Sequence, residues 1–300
     1  MTTTSPPMRR LVTGYGLLEG GRWYPEFGLV FSDMTGGGVF HIPGPGATPR
    51  LLIPHRKGIG GLVAHQRGGF VVSGRNVAHK QAGGATIVLL EKAEDEVFFN
   101  DLGVDNEGRI VVGSVAVNPL TPAATGKASS ALGRLYRIEL DGRVTVLFED
   151  VEVSNGIASG PGGSPIYHVD TGRRVVWAIE ADRRPFRREA FAETSEYAGE
   201  PDGLAVAGDG SVWVAIAGGG LVVAWDRDGR RLCEIEVPQQ LVTSVCFGGV
   251  DLASLFVLTG PSRPEEEDGS IYVATAPAPG LPGPRARVSV STMPFPAGTA

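Results

Sequence analysis

Gly203-Leu204-Ala205-Val206-Ala207-Gly208-Asp209-Gly210-Ser211-Val212-Trp213-Val214-Ala215 is the stretch on which the fold turns. A Gly-Leu start leads into a short apolar run, then a Gly-Asp-Gly turn, then a β-rich strand. Turn residues of this kind reach positive φ cheaply, so the stretch reads as a hairpin. The same unit recurs at Gly61–Ser73, Leu102–Ser114, Gly156–Asp170 and Ser244–Leu258, with a diverged copy at Gly20–Asp33. The strands after the turns begin at Leu29, Phe70, Ile110, Ile166, Val212 and Leu255, at intervals of 41, 40, 56, 46 and 43 residues. Repeats of this period indicate a repeat architecture.

Further strand pairs lie between the copies. Gly133–Glu139 and Arg143–Phe148 flank Asp141-Gly142, and Gly220–Trp225 and Leu232–Val237 flank Asp228-Gly229. That makes about four antiparallel strands per unit, the blade of a β-propeller. The fold class is therefore all-β, a six-bladed β-propeller forming one domain over residues 1–300. A β-sandwich is the alternative, and it gives no reason for the period. With 44 Gly and 22 Pro in 300 residues a helical bundle is excluded, and 42% hydrophobic residues exclude a disordered chain. Residues 1–14 read as an N-terminal extension. Residues 275–300 read as a Pro/Ala-rich segment closing or trailing the propeller, with a short closing strand around Val288–Val290. Asn118–Ser130 reads as a loop near one mouth, and Arg263–Asp268 as a charged hairpin tip.

The net charge of −6 argues against nucleic acid as a partner. No apolar run approaches the roughly 18 residues of a membrane span, and no secretory signal is visible at the N-terminus. Cys233 and Cys246 are too few for a disulfide framework or a Cys-rich zinc site. The expectation is a cytoplasmic protein, monomer or homodimer, acting on a small molecule without nucleic acid or membrane.

Polar residues stand at four blade starts where apolar ones would pack better: Glu19, Asn100, Asn155 and Asp202. Propeller symmetry converges them near the axis. Singly, each reads as a cap on a turn before a strand. Together, two carboxylates and two amides make a hard-oxygen set suited to Ca²⁺, Mg²⁺ or Mn²⁺. Gly20, Gly156 and Gly203 follow three of them, which reads as clearance around an ion.

With these motifs the sequence resembles the SMP-30/gluconolactonase/regucalcin-like family. The carriers are Glu19-Gly20-Gly21-Arg22-Trp23, Asn100-Asp101-Leu102-Gly103-Val104-Asp105, Ser154-Asn155-Gly156-Ile157-Ala158 with Tyr167-His168-Val169-Asp170, and Pro201-Asp202-Gly203-Leu204-Ala205-Val206. The resemblance implies one catalytic divalent cation in the channel, Ca²⁺ first, with Mg²⁺, Mn²⁺ or Zn²⁺ open. It places the metal ligands on Glu19, Asn155 and Asp202, a substrate-contacting amide on Asn100, and the general base on Asp202. It implies lactone hydrolysis. Organophosphate or other ester hydrolysis, a non-catalytic calcium-binding role and a metal-assisted non-hydrolytic reaction stay open.

The chain departs from the family at one point. Sugar lactonases of the family commonly read Arg-x-Asn-Asp at the third motif, and here Phe98 stands at the Arg position. The expectation is a less polar lactone or ester that contacts Phe98. The alternative is that Phe98 packs under a loop while Arg75 or His79 serves the substrate. His65 or His79 could assist proton transfer from loops near the mouth. His168 reads as a core histidine, and Trp23, Trp177, Trp213 and Trp225 as blade packing. His41, His55, His65, His79 and His168 form no metal-ligand spacing. The absence of a Gly-x-Ser-x-Gly elbow argues against a serine hydrolase.

Overall fold

The computed structural model describes residues 7–54, 56–81, 84–116 and 131–290. Their strands form six antiparallel sheets of four strands each. The first blade is Leu18–Tyr24, Gly28–Asp33, Val39–Ile42 and Arg50–Ile53. The second is Leu62–Ala64, Phe70–Val72, Asn76–Lys80 and Thr86–Glu91, and the third Phe98–Val104, Ile110–Val115, Gly133–Ile138 and Val144–Val151. The fourth is Ser154–Ser159, Ile166–Asp170, Val175–Glu180 and Arg187–Glu193, and the fifth Glu200–Val206, Val212–Ala217, Leu221–Trp225 and Arg231–Glu236. The sixth combines Val242–Gly248, Ser254–Thr259 and Gly269–Thr275 with Arg9–Tyr15 from the start of the chain. The first strand of each blade touches the first strands of both neighbouring blades, so these six inner strands line the axis. This is the six-bladed propeller that the repeat implies.

Two details of the sequence reading change. Residues 9–15 are not an extension: they pair with Gly269–Thr275 as the outermost strand of the last blade. Closing the ring in this way ties residues 9–15 to residues 269–275 through backbone hydrogen bonds. No closing strand forms at Val288–Val290. Residues 276–290 instead cross the end of the propeller where the inner strands finish. Along this strap the Gly208 N–H donates to the Pro279 carbonyl, the Ala286 N–H to Ala64, the Arg287 N–H to Gly108 and the Ser289 N–H to Leu140. Val288 is buried, as a closing strand would require, but under the second and third blades. The predicted loop Asn118–Ser130 lies outside the described residues; the strand end before it, Val115, pairs with Phe98.

The apolar core is distributed around the ring. Six buried clusters occur among the described residues, one at each blade-to-blade interface. Trp213 packs edge-on against Phe247 between the fifth and sixth blades, with ring centroids 5.8 Å apart. Trp23 stacks on Phe256 between the first and sixth, at 5.7 Å.

At each interface the blades approach so closely that a glycine is needed. A Cβ on Gly20 would lie 3.2 Å from the Gly61 Cα, and one on Gly61 would lie 2.5 Å from the Leu102 nitrogen. One on Gly103 would meet the Ile157 side chain at 2.7 Å, and one on Gly156 the Leu204 nitrogen at 2.5 Å. One on Gly203 would meet the Thr243 carbonyl at 2.7 Å, and one on Gly21 the Leu258 side chain at 3.0 Å. The glycines after the predicted ligands therefore give clearance between blades rather than around an ion. Gly60, whose added Cβ would meet Asn100, belongs to the same set.

Gly61→Ala is expected to lower stability by about 1–3 kcal/mol, because backbone cannot move aside as a side chain can. Gly44, with nothing within 4 Å of an added Cβ, is the control. Gly44→Ala should change stability by less than about 0.5 kcal/mol. Denaturant unfolding of the two variants checks both.

Candidate functional site

Glu19, Asn100, Asn155 and Asp202 sit at equivalent places, near the start of the inner strands of the first, third, fourth and fifth blades. Asn100, Asn155 and Asp202 each lie within a shift of register against the second strand of their own blade, between Phe99 and Leu102, Ser154 and Ile157, and Pro201 and Leu204, and Glu19, paired with Ser32, directly precedes the shift between Glu19 and Arg22. A bulge re-aims a side chain out of the pleat, here toward the axis. The sixth blade carries Thr243 at this position, with its hydroxyl donating to the Leu18 carbonyl of the first blade. The second blade carries Gly60, where a Cβ would strike Asn100 Oδ1 at 2.3 Å. The ring thus has four polar side chains, one hydroxyl turned into the wall, and one gap filled from the neighbouring blade. The four are 8%, 8%, 9% and 8% exposed, enough for solvent to reach them.

The electrostatics are unfavourable without a cation. Burial, with the charges of Asp202 and Asp101, pushes the Glu19 carboxyl well above its usual range. Burial and Asp101 do the same to Asp202, and a hydrogen bond from the Asn155 side chain offsets this in part. Asp202 Oδ1 is buried with no hydrogen-bond partner. An unpartnered carboxylate oxygen beside a second destabilised carboxylate is an environment that a divalent cation relieves. Among the described residues no three His, Cys, Asp or Glu gather as a metal cluster, so such a site needs the amides as well. Glu19, Asn155 and Asp202 fit one cation in chemistry: two carboxylates and one carbonyl oxygen, all hard.

Asn100 is oriented by an acceptor. Its Nδ2 donates to the Ser154 carbonyl at 2.9 Å, which fixes which end of the amide is nitrogen. Asp101 and Arg22 were not singled out in the sequence reading, although both stand in the quoted motifs. Arg22 Nη2 reaches Asp101 Oδ1 at 3.1 Å and the Leu102 carbonyl at 2.9 Å, spanning the axis from the first blade to the third. Asp101 also accepts from the Leu102 and Ile157 N–H groups. Beyond this pair lies a cavity of about 350 Å³ that Arg22, Val63, Ile157 and Val206 line and Leu281 to Pro284 border. None of the four ring residues lines it.

The other candidates separate. Phe98 begins the third inner strand two residues before Asn100, is partly exposed, and belongs to none of the apolar clusters of the described residues. Arg75 is exposed beside Gly74, whose N–H donates to the Phe99 carbonyl, and so stands at the same end as Phe98. His79 is not at this mouth. It is 2% exposed, its Nε2 bonds the Gly68 carbonyl at 2.8 Å, and its ring packs 4.8 Å from His65. His65 in turn bonds the Val288 carbonyl of the strap at the far end. The register of the second blade decides this: His79 pairs with Val71, near the end of its strand that reaches the strap. His168 is fully buried, as expected, and its Nε2 lies 2.9 Å from Ser154 Oγ. His55 lies outside the described residues. Cys233 and Cys246 are both free thiols. No described helix is long and apolar enough to cross a membrane.

Comparison with known proteins agrees with this arrangement. Residues 17–260 match the model of the SMP-30/Gluconolactonase/LRE-like region. The chain is 30% identical over 272 residues to 6-deoxy-6-sulfogluconolactonase from Pseudomonas putida, covering 85% of this chain and 89% of that protein. It is 35% identical over 185 residues to pentonolactonase XacC from Haloferax volcanii, covering 61% and 60%. Its fold matches regucalcin of Agrobacterium tumefaciens, described as a calcium-binding protein, with a TM-score of 0.79 at 20% identity, covering 94% and 98%.

Burial pushes the His168 pKa down from 6.5 to about 3, so the ring is neutral in the fold. A histidine that charges more readily when unfolded contributes stability above pH 6.5 that is lost as pH falls toward 3. His168→Gln can still bond Ser154 and cannot be protonated. Its stability should fall less steeply than the wild type's between pH 6.5 and 4, measured by urea unfolding at each pH.

Proposed function

The chain belongs to the SMP-30/gluconolactonase/LRE-like family, and on that premise we propose that it is a divalent-metal-dependent lactonase acting at the axial ring. The observation that carries the reading is Asp202 Oδ1, buried and unpartnered beside Glu19 and Asn155. The names of the two relatives, a pentonolactonase and a sulfogluconolactonase, support a lactone as the substrate. The calcium-binding description of regucalcin supports Ca²⁺ as the ion.

Glu19, Asn155 and Asp202 would hold the cation. When bound, it supplies a Lewis acid that polarises the lactone carbonyl and stabilises charge on its oxygen. Asp202 takes the proton of the attacking water. Burial and Asp101 strengthen it as a base, while coordination weakens it, and the balance sets its pKa. Water adds to the carbonyl, the ring C–O bond breaks, and the leaving alkoxide receives from Asp202 the proton taken from water, to give the hydroxy acid. Asn100, its nitrogen tied to Ser154, keeps Oδ1 to position water or substrate. Arg22 neutralises Asp101 without entering the ring.

Phe98 gives the substrate its polarity. An Arg at this place would offer five N–H donors to substrate hydroxyls; a phenyl ring offers none. The substrate of this chain is a lactone with fewer hydroxyls than a sugar lactone.

Protein treated with EDTA should lose lactonase activity and regain it with Ca²⁺ or Mn²⁺, measured by proton release on a lactone panel. Inactivity on every lactone with every metal would refute the reading. Asp202→Ala and Asn155→Ala should each lower kcat by more than about 100-fold. Wild type should prefer alkyl- or aryl-substituted lactones to sugar γ- and δ-lactones. Phe98→Arg should raise kcat/KM on the sugar lactones by about 10- to 100-fold, the equivalent of one hydrogen bond to a charged donor. A wild-type preference for sugar lactones would rule out the role given to Phe98.

A further inference from the structure

A carboxamide can offer its oxygen to a cation only if its nitrogen is held elsewhere. For Asn155 that hold comes from Thr171, beside the hydrogen bond that the same amide gives Asp202. Thr171 opens the turn after Ile166–Asp170, at the ring end of the fourth blade, facing the inner strand of the fifth. Its hydroxyl donates to the Pro201 carbonyl at 2.7 Å, and Asn155 Nδ2 donates to Thr171 Oγ1 at 3.3 Å. A hydroxyl has one proton. With that proton committed to Pro201, only lone pairs face Asn155, and only the nitrogen end of the amide can meet them. A flipped amide would set Oδ1 against those lone pairs.

We propose that Thr171 is a positioning residue of the axial site: its hydroxyl holds Asn155 Nδ2 toward the fifth blade and leaves Oδ1 to act as a ligand. The proposal rests on the metal-site reading above. It also links two ligands, because the carbonyl that receives the Thr171 proton belongs to the residue before Asp202. Pro201 thereby couples the orientation of Asn155 to the bulge that aims Asp202. The turn itself does not need the hydroxyl. The Thr171 N–H donates to the Val153 carbonyl at 2.9 Å, and the Arg174 N–H donates to the Thr171 carbonyl at 3.1 Å. Removing Oγ1 therefore frees the amide and keeps the backbone path. Asn100 is held differently, by a backbone carbonyl that no side-chain substitution removes.

The test is calorimetric titration of the metal-free protein with CaCl₂ and with MnCl₂, for wild type, Thr171→Val and Thr171→Ser. Thr171→Val should bind about 10- to 100-fold more weakly than wild type, and Thr171→Ser, which restores the hydroxyl, within about 3-fold of it. The metal-free unfolding midpoint of all three should coincide. Wild-type binding with unchanged affinity in Thr171→Val overturns the role of Thr171 and leaves the metal reading standing. No binding by wild type overturns both. An equal loss in Thr171→Val and Thr171→Ser, with a lowered midpoint in each, shows a purely structural role and also overturns the proposal. Should the valine variant fail to fold, Thr171→Ala removes the same oxygen without adding a methyl group, and the same outcomes decide.

Discussion

The structure depends on how closely six inner strands can approach around one axis. Each blade buries apolar side chains against the next, in six buried clusters. At five of those interfaces a glycine of an inner strand meets the neighbouring blade's backbone, and at the sixth, between the first and last blades, Gly21 meets the Leu258 side chain. The glycines lie in or beside the same bulges that turn Glu19, Asn100, Asn155 and Asp202 to the axis. Ring closure and site geometry are therefore one constraint.

A consequence is that the site's residues come in pairs with different duties. In the third, fourth and fifth blades the first residue of the bulge belongs to the ring, and its neighbour joins the wall. Asn100 lies in the ring while Asp101, next to it, binds Arg22 and two N–H groups. Gly156 and Gly203 follow Asn155 and Asp202 and let the next blade approach. The ring carries more negative charge than Arg22 offsets, and that excess makes it a place for a cation. The strap from residue 276 to 290 covers the opposite end, so the two ends of the axis differ in character.

Much of this was legible in the chain. Asp-Gly and Asn-Glu-Gly turns mark hairpins because positive φ favours glycine; Gly108, Gly142, Gly210 and Gly229 all adopt it. Their spacing set the number of blades. The four polar blade starts stood out because a polar residue opening a buried strand needs a reason, and they share one end of the axis. His79 was misplaced for a local reason. Its distance along the chain from the turn of its blade says nothing about which end of an antiparallel strand it occupies, and the register puts it at the strap. The N-terminal strand and the strap were missed because their partners lie at the other end of the chain or across several blades.

By itself the sequence determined the fold class, the six blades and the identity of the axial side chains, because turn chemistry and strand period are local and each repeat states them again. Tertiary structure decided the rest. It showed that the glycines beside the ring serve blade contact, that Arg22 neutralises Asp101, and that a hydroxyl on one blade orients an amide against a carbonyl on the next. Those interactions join residues 16 to 237 positions apart. No local pattern encodes them, because their energy depends on distances that exist only once the ring has closed.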